Sequence, residues 1–254
     1  VVDYCMRVEP SDIRAFMEKW ELSLENEESR EFSEDERMWL ELDNPMRLDF
    51  SSVLWLNGRE LRPRHGCGTY YNPCLPPETV ELLAELNREK PVWVELGLQT
   101  IHPASAAYIR RGYDLPVFDR AVRRLKEAGI TVVVHQILGL PGETETMMAA
   151  TSRYIGASGA DGIKFHLLHV LRGTDLARDW AAGRFACLEM EAYIAALETC
   201  LRNIPRDMVV HRLTGDGAKR DLLAPLWSGD KKRVLNAIHH AFVRDDLEQG
   251  SALV

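Results

Sequence analysis

The sequence is short of the features that would place it in several common classes. Its 254 residues contain no C-x-x-C pair, and the five cysteines, Cys5, Cys67, Cys74, Cys187 and Cys200, are odd in number and scattered. That excludes a zinc ribbon and a thioredoxin motif and argues against a secreted disulfide framework. No apolar run approaches the ~18 residues a membrane span requires. The first residues, Val1-Val2-Asp3-Tyr4, lack the basic and apolar regions of a signal peptide, so a cytoplasmic location is expected. Neither G-x-x-x-x-G-K-S/T nor G-x-G-x-x-G occurs, which removes the phosphate-loop and dinucleotide fingerprints. An excess of positive charge is missing too. Lys and Arg number 31 against 39 Asp and Glu, a net of −8, which speaks against a primary grip on nucleic acid.

What is present is ordinary globular composition, 46% hydrophobic and 28% charged, enough for one large domain or two small ones. The charge is uneven. Residues 1–50 hold 15 acidic and 6 basic side chains, while the remaining 204 residues hold 24 and 25. This asymmetry divides the chain near residue 65, into an acidic, mainly helical segment over 1–65 and a nearly neutral part over 66–254. Within the first, Pro10-Ser11-Asp12 is a helix start, and Ser33 with Glu36 forms a capping box for a second helix that Asn44-Pro45 ends. A short strand is expected at Val53-Leu54-Trp55-Leu56.

From Pro77 a repeating grammar begins. Glu78 to Arg88 reads as an amphipathic helix, and Val92 to Gln99 as a strand buried on both faces. Asp114 to Ala128 is a helix stopped by Gly129, and Ile130 to Leu138 the next strand. Glu143 to Ser158 is a helix stopped by Gly159, and Gly162 to Leu171 the third strand. Helices follow at Thr174 to Trp180 and Glu189 to Asn203. Val209 to Asp216 reads as a further strand and its loop, and Leu222 to Trp227 as an apolar segment packed across the barrel. Residues 230–248 form a last helix with Val234, Leu235, Ile238 and Phe242 as its buried stripe. Alternating strands and helices with short turns mean parallel β-structure, either a barrel or a doubly wound sheet. In both, chemistry gathers at the C-terminal ends of the strands.

Several residues at those ends suit chemistry. Gln99 closes a buried strand, where its amide must find a partner. Ile137-Leu138-Gly139-Leu140-Pro141-Gly142-Glu143 ends a strand, turns on two glycines and starts a helix, and glycines let a ligand approach the backbone. Arg110 and Arg111 precede Gly112 in a loop where an arginine can grip a carboxylate. His135, His166 and His169 cluster by strand and could converge on a divalent metal.

Taken together, these motifs resemble the radical S-adenosylmethionine (SAM) enzymes, and within them the YhcC-like proteins. The resemblance is carried by Val94-Glu95-Leu96-Gly97-Leu98-Gln99-Thr100, Arg110-Arg111-Gly112, His135 through Glu143, Asp161 through His169 and Arg172-Gly173-Thr174. His211 through Asp216, Leu222 to Trp227 and Gln249-Gly250-Ser251-Ala252-Leu253 complete it, over about residues 66–254. It implies an incomplete (β/α)6 barrel of the TIM type, open at the top, that binds SAM. It also implies a [4Fe–4S] cluster that reduces the sulfonium and so yields a 5′-deoxyadenosyl radical, which abstracts hydrogen from a substrate the sequence does not name. By the same resemblance Gln99, Arg111 and His135 occupy strand-end positions that contact SAM, Leu168 lies near the adenine, and the turn from Gly139 through Gly142 to Glu143 supports it; Glu95 is a further candidate.

The family's C-x-x-x-C-x-x-C, whose three thiolates hold three irons, does not occur in these 254 residues. Two further readings therefore stand beside the radical enzyme. One is an inactive relative that serves as a binding module. The other is a divalent-metal barrel enzyme using His135, His166 and His169. An incomplete barrel also exposes sheet edges, and either the N-terminal helices or a second chain is expected to cover them.

Overall fold

The computed structural model describes residues 54–56, 59–61, 75, 77–89, 91–215 and 219–253. The helices expected over 10–43, and Cys5, Cys67 and Cys74, lie outside the described residues, so the division at residue 65 stays an expectation. The chain forms two compact units, one comprising residues 1–97 and 111–132, the other 98–110 and 133–254.

In the first unit β1 (Leu54–Leu56) pairs antiparallel with β2 (Arg59–Leu61). Helix α1 (Pro77–Glu89) precedes β3 (Trp93–Gln99), whose last two residues belong to the second unit. Helix α3 (Leu115–Glu127) buries Phe118, Ala121, Val122 and Leu125, the i, i+3, i+4, i+7 stripe of an amphipathic helix. It ends where Gly129 takes φ +72°. There Ile130 N donates to Leu125 O and Gly129 N to Lys126 O, the paired bonds of a Schellman motif, with Leu125 and Ile130 fully buried. Asn87 ties α1 to this turn and to the next strand: its Nδ2 donates to Gly129 O at 3.2 Å, and its Oδ1 accepts from Val92 N at 2.8 Å.

The second unit holds α2 (Pro103–Tyr108), most of β4 (Thr131–Leu138), α4 (Glu145–Ala157), β5 (Gly162–Leu167) and β6 (Val170–Leu171). It continues through α5 (Asp175–Ala181), α6 (Met190–Arg202), β7 (Val209–Arg212), β8 (Leu222–Ala224) and α7 (Lys231–Arg244). The main sheet has the order β3-β4-β5-β7, and β5 runs parallel to both β4 and β7. This is the α/β architecture of a partial barrel.

Side-chain alternation sorts the two faces of that sheet. Val134, Gln136, Leu138, Ile163, Phe165 and Leu167 are buried, and Gln136 bonds to α4. His135, Lys164 and His166, one residue out of step, are only partly covered and occupy the opposite, inner face.

Four expectations need correction. The strand expected over Gly162–Leu171 is two strands in different sheets: β5 ends at Leu167, one residue before a last parallel ladder bond from Leu168 N to Leu138 O, and β6 pairs with β8. The segment Leu222–Trp227 pairs through β8 antiparallel with β6 and continues into a 3-10 turn at Leu226–Gly229. The helix after Gly142 starts at Glu145, not Glu143, because Thr144 is the N-cap and its hydroxyl accepts from Met147 N. In α7, Val234, Ile238 and Ala241 are buried, while Leu235 is exposed. Among the described residues no helix is long and apolar enough to cross a membrane.

Candidate cofactor and substrate site

In the second unit two turns at the C-terminal end of the sheet are joined. The first follows β3. Gln99 takes φ +60°, and Thr100 N donates to Leu98 O at 2.7 Å, closing a three-residue turn around it. A non-glycine residue held there costs on the order of 1–3 kcal/mol. Gln99 is only 3% exposed, yet its Oε1 has no hydrogen-bond partner. A buried carbonyl oxygen left unpaired costs about 1–3 kcal/mol, so strain and desolvation coincide at one residue.

The second turn follows β4. Glu143 N donates to Leu140 O at 3.0 Å, with Pro141 second and Gly142 third at φ +81°, a type II pattern that needs glycine. Gly139, at φ +84°, has a different reason: a Cβ there would lie 3.0 Å from Leu188 Cδ1. Leu188 is fixed in turn by its carbonyl, which accepts from Trp227 Nε1 at 3.1 Å. Around Gly142 a Cβ would meet nothing, so the turn is open on that side. The two turns are linked by Thr100 Oγ1, which donates to Glu143 Oε1 at 2.5 Å. Glu143 therefore braces the two loops.

Leu168 packs with Ile137 and Leu140, flanked by Ile109, Leu176 and Phe185. This apolar wall lies directly after the strand ends. His135 stacks on His166, with ring centroids 4.8 Å apart and planes 27° from parallel. The structure thus brings together Gln99, Gly139, Gly142 and Glu143 through the bonded turns and Leu168 through the apolar wall, while His135 pairs with His166.

Glu95 and Arg111 belong to the first unit. Glu95 is buried and accepts from Trp93 Nε1 at 3.2 Å. Arg111 is buried, its Nε donates to Tyr113 O at 3.0 Å, and its guanidinium lies 4.6 Å from the Tyr113 ring centre. Burial lowers its pKa below the usual arginine value, against the pull of Tyr113 and Asp114. Tyr113 is fixed by its hydroxyl, which donates to Gly97 O at 2.5 Å. Arg110 forms an exposed pair with Asp175 at 2.6 Å.

Sequence reading missed Thr100, whose hydroxyl joins the turns from 43 residues away in the chain.

Among the described residues the cysteines fit a cluster poorly. Of the described cysteines, Cys200 is buried and its thiol is pushed up to about 12 by desolvation; Cys187 is half-buried and pushed up by burial and by Glu189. Neither is poised as a thiolate ligand, and they belong to no cysteine triplet. The metal reading fares no better: among the described residues no group of three or more His, Cys, Asp or Glu is arranged to hold a metal ion. His135, His166 and His169 therefore do not form the divalent site that spacing allowed.

The glycine turn, the preceding strand end and the alternating βα units decide the family once the chain is set against known proteins. Residues 8–155 match the model of the radical SAM superfamily, and residues 160–244 that of the Radical_SAM C-terminal domain. The chain belongs to the radical SAM superfamily. The first match begins inside the acidic segment and runs across residue 65. The chain is 41% identical over 166 residues to the uncharacterized protein YtqA of Bacillus subtilis, covering 65% of this chain and 52% of that one. It is 34% identical over 181 residues to protein YhcC of Escherichia coli, covering 71% and 58%. It thus spans about half the length of the curated relatives it matches. Among solved structures, Elp3 of Methanocaldococcus infernus with an N-terminal deletion aligns at TM-score 0.61 and 21% identity, over 70% of this chain and 41% of that one. That likeness supports the radical SAM fold.

Proposed function

We propose that this chain binds SAM at the strand ends of its second unit, as a radical SAM protein whose substrate remains to be named. One observation carries the reading. Gln99 is held in a strained turn with a buried, unpaired Oε1, and that turn is fastened to the open glycine turn Leu140–Glu143. Such a carbonyl suits a ligand ammonium or hydroxyl. Ile137, Leu140 and Leu168 offer the apolar surface an adenine needs.

In this superfamily a bound [4Fe–4S] cluster supplies the electron that cleaves SAM. The described residues do not fit that cluster, so we assign them the binding and orientation of SAM and no reductive step. The absence of a cysteine triplet equally supports a second reading, a SAM-binding module without radical chemistry.

Two measurements on the full chain test this. Calorimetric titration with SAM should show one saturable site, weakened by Gln99→Ala. Anaerobic reconstitution with iron and sulfide, read by iron and labile-sulfide content, should leave the chain without stoichiometric cluster. A cluster of four irons would overturn the assignment of binding alone, and absence of SAM binding would overturn the reading altogether.

A further inference from the structure

The loop between α5 and α6 lies wholly in the second unit and is fastened at both ends. Helix α5 stops in a Schellman motif. Gly183, at φ +70°, donates its N–H to Trp180 O at 2.9 Å, and Arg184 N donates to Asp179 O at 3.1 Å. Asp179 holds Arg184 a second time, because its Oδ1 accepts from Arg184 Nη2. Its other oxygen, Oδ2, accepts from the Tyr108 hydroxyl at 2.6 Å. Tyr108 ends α2, the helix that follows the Gln99 turn. One carboxylate therefore joins the start of the loop to the segment that leaves the strained turn.

At the far end Leu188 occupies the space that a Cβ on Gly139 would need, and its carbonyl accepts from Trp227 Nε1 at 3.1 Å. Trp227 rests in turn on the fully buried Tyr193, with ring centroids 5.8 Å apart. Between these anchors lies Phe185. Its ring packs against the wall of Ile137, Leu140 and Leu168 and also against the cluster of Val170, Ala177 and Ala224. It nevertheless stays partly exposed. The strap thus holds an aromatic ring, not fully covered, against the apolar wall beside the open glycine turn. A flat aromatic ligand stacked there would complete the burial of that ring.

We propose that the strap Arg184–Leu188 covers the SAM site: Phe185 supplies the ring on which the adenine stacks, and Asp179 is the positioning residue that holds the strap in place. The inference deepens the SAM-binding reading and rests on it for the identity of the base. An aromatic ring beside an apolar wall suits a flat base better than the charged methionine end, and stacking on such a ring contributes substantially to the binding of a base. The Asp179 contacts are exposed, so they fix where the strap sits while adding little to the stability of the fold.

The test titrates the full chain with SAM and, separately, with 5′-methylthioadenosine, which keeps the adenosine and lacks the amino-acid end. Phe185→Leu retains the apolar contact and removes the ring, and should weaken both ligands by the same factor, roughly tenfold. Phe185→Tyr should restore both. Asp179→Asn removes the charge that Arg184 meets, and should weaken both ligands by up to about fivefold at an unchanged melting temperature. Its difference from the wild-type chain should vanish at about 1 M salt, where exposed pairs are screened; a difference that persists there overturns the role given to Asp179. NMR of the wild-type chain with isotope-labelled phenylalanine should show contact between the adenine protons of bound methylthioadenosine and the Phe185 ring. Its absence from the bound complex overturns the proposal even where a variant fails to fold. So does unchanged affinity in Phe185→Leu. SAM binding that ignores Phe185 removes the inference and leaves the functional reading. Methylthioadenosine binding that depends on Phe185, without SAM binding, leaves the stacking site and removes that reading, and binding of neither ligand removes both.

Discussion

Gln136 and His166 lie on opposite faces of one sheet. On the helix side, Gln136 donates through Nε2 to Met148 O at 2.7 Å and accepts at Oε1 from Ser152 Oγ at 2.7 Å. Its neighbours on that side, Ile163, Phe165 and Leu138, are fully buried. On the inner side His166 keeps an unpaired Nε2 among basic neighbours, and at the mouth of the sheet Gln99 keeps an unpaired Oε1. Buried polar groups are almost always satisfied. On the helix side Gln136 obeys that rule and ties the sheet to α4. His166 and Gln99 break it, which is where a ligand has something to complete.

The comparison breaks most sharply at Phe165. Phe165→Ala should cost about 3–5 kcal/mol of stability by urea denaturation, the range for a truncated buried aromatic ring. Gln136→Leu comes next. It strands the Ser152 hydroxyl, and should cost about 1–3 kcal/mol while leaving ligand affinity unchanged. Gln99→Gly should move the other way. Glycine adopts φ +60° without strain, so stability should hold or rise by about 1 kcal/mol, while SAM affinity falls. A loss of stability at Gln99 would erase the distinction between the two faces.

The smallest effect is in pH. Burial first, then His135, Arg212, Lys164 and His169, hold the His166 pKa well below the ordinary histidine value. The unfolded chain then takes up a proton near its ordinary pKa that the folded chain refuses. This contribution to stability is intact above that value and is lost as the pH falls below it, at up to about 1.4 kcal/mol per pH unit. His166→Gln should flatten that slope, read from melting temperatures across the acidic range. An unchanged slope would mean that His166 protonates freely.

Much of the fold could be read from the sequence because its cues are local. The apolar runs Val92–Gln99 and Ile130–Leu138 became β3 and β4, and Gly129 and Gly159 stop helices at positive φ. The glycine turn of the site was visible for the same reason. What escaped depended on tertiary register. β5 ends at Leu167, and Val170–Leu171 leaves for a separate sheet with β8. Arg212 faces Lys164 only through the shift at Ile163. Thr100 meets Glu143 from 43 residues away. Helix α2 was missed because Pro103 to Tyr108 is too short for a periodic signal.

The central claim is that an unpaired polar group in a strained, buried turn marks the SAM site. Calorimetric titration of the full chain with SAM, run in parallel on Gln99→Ala and Gln136→Leu, tests it most directly. We predict one site in the wild-type chain, affinity reduced roughly tenfold by Gln99→Ala, in line with the loss of one hydrogen bond to a charged ligand, and affinity retained in Gln136→Leu. Equal affinity in the wild-type and Gln99→Ala chains would contradict it.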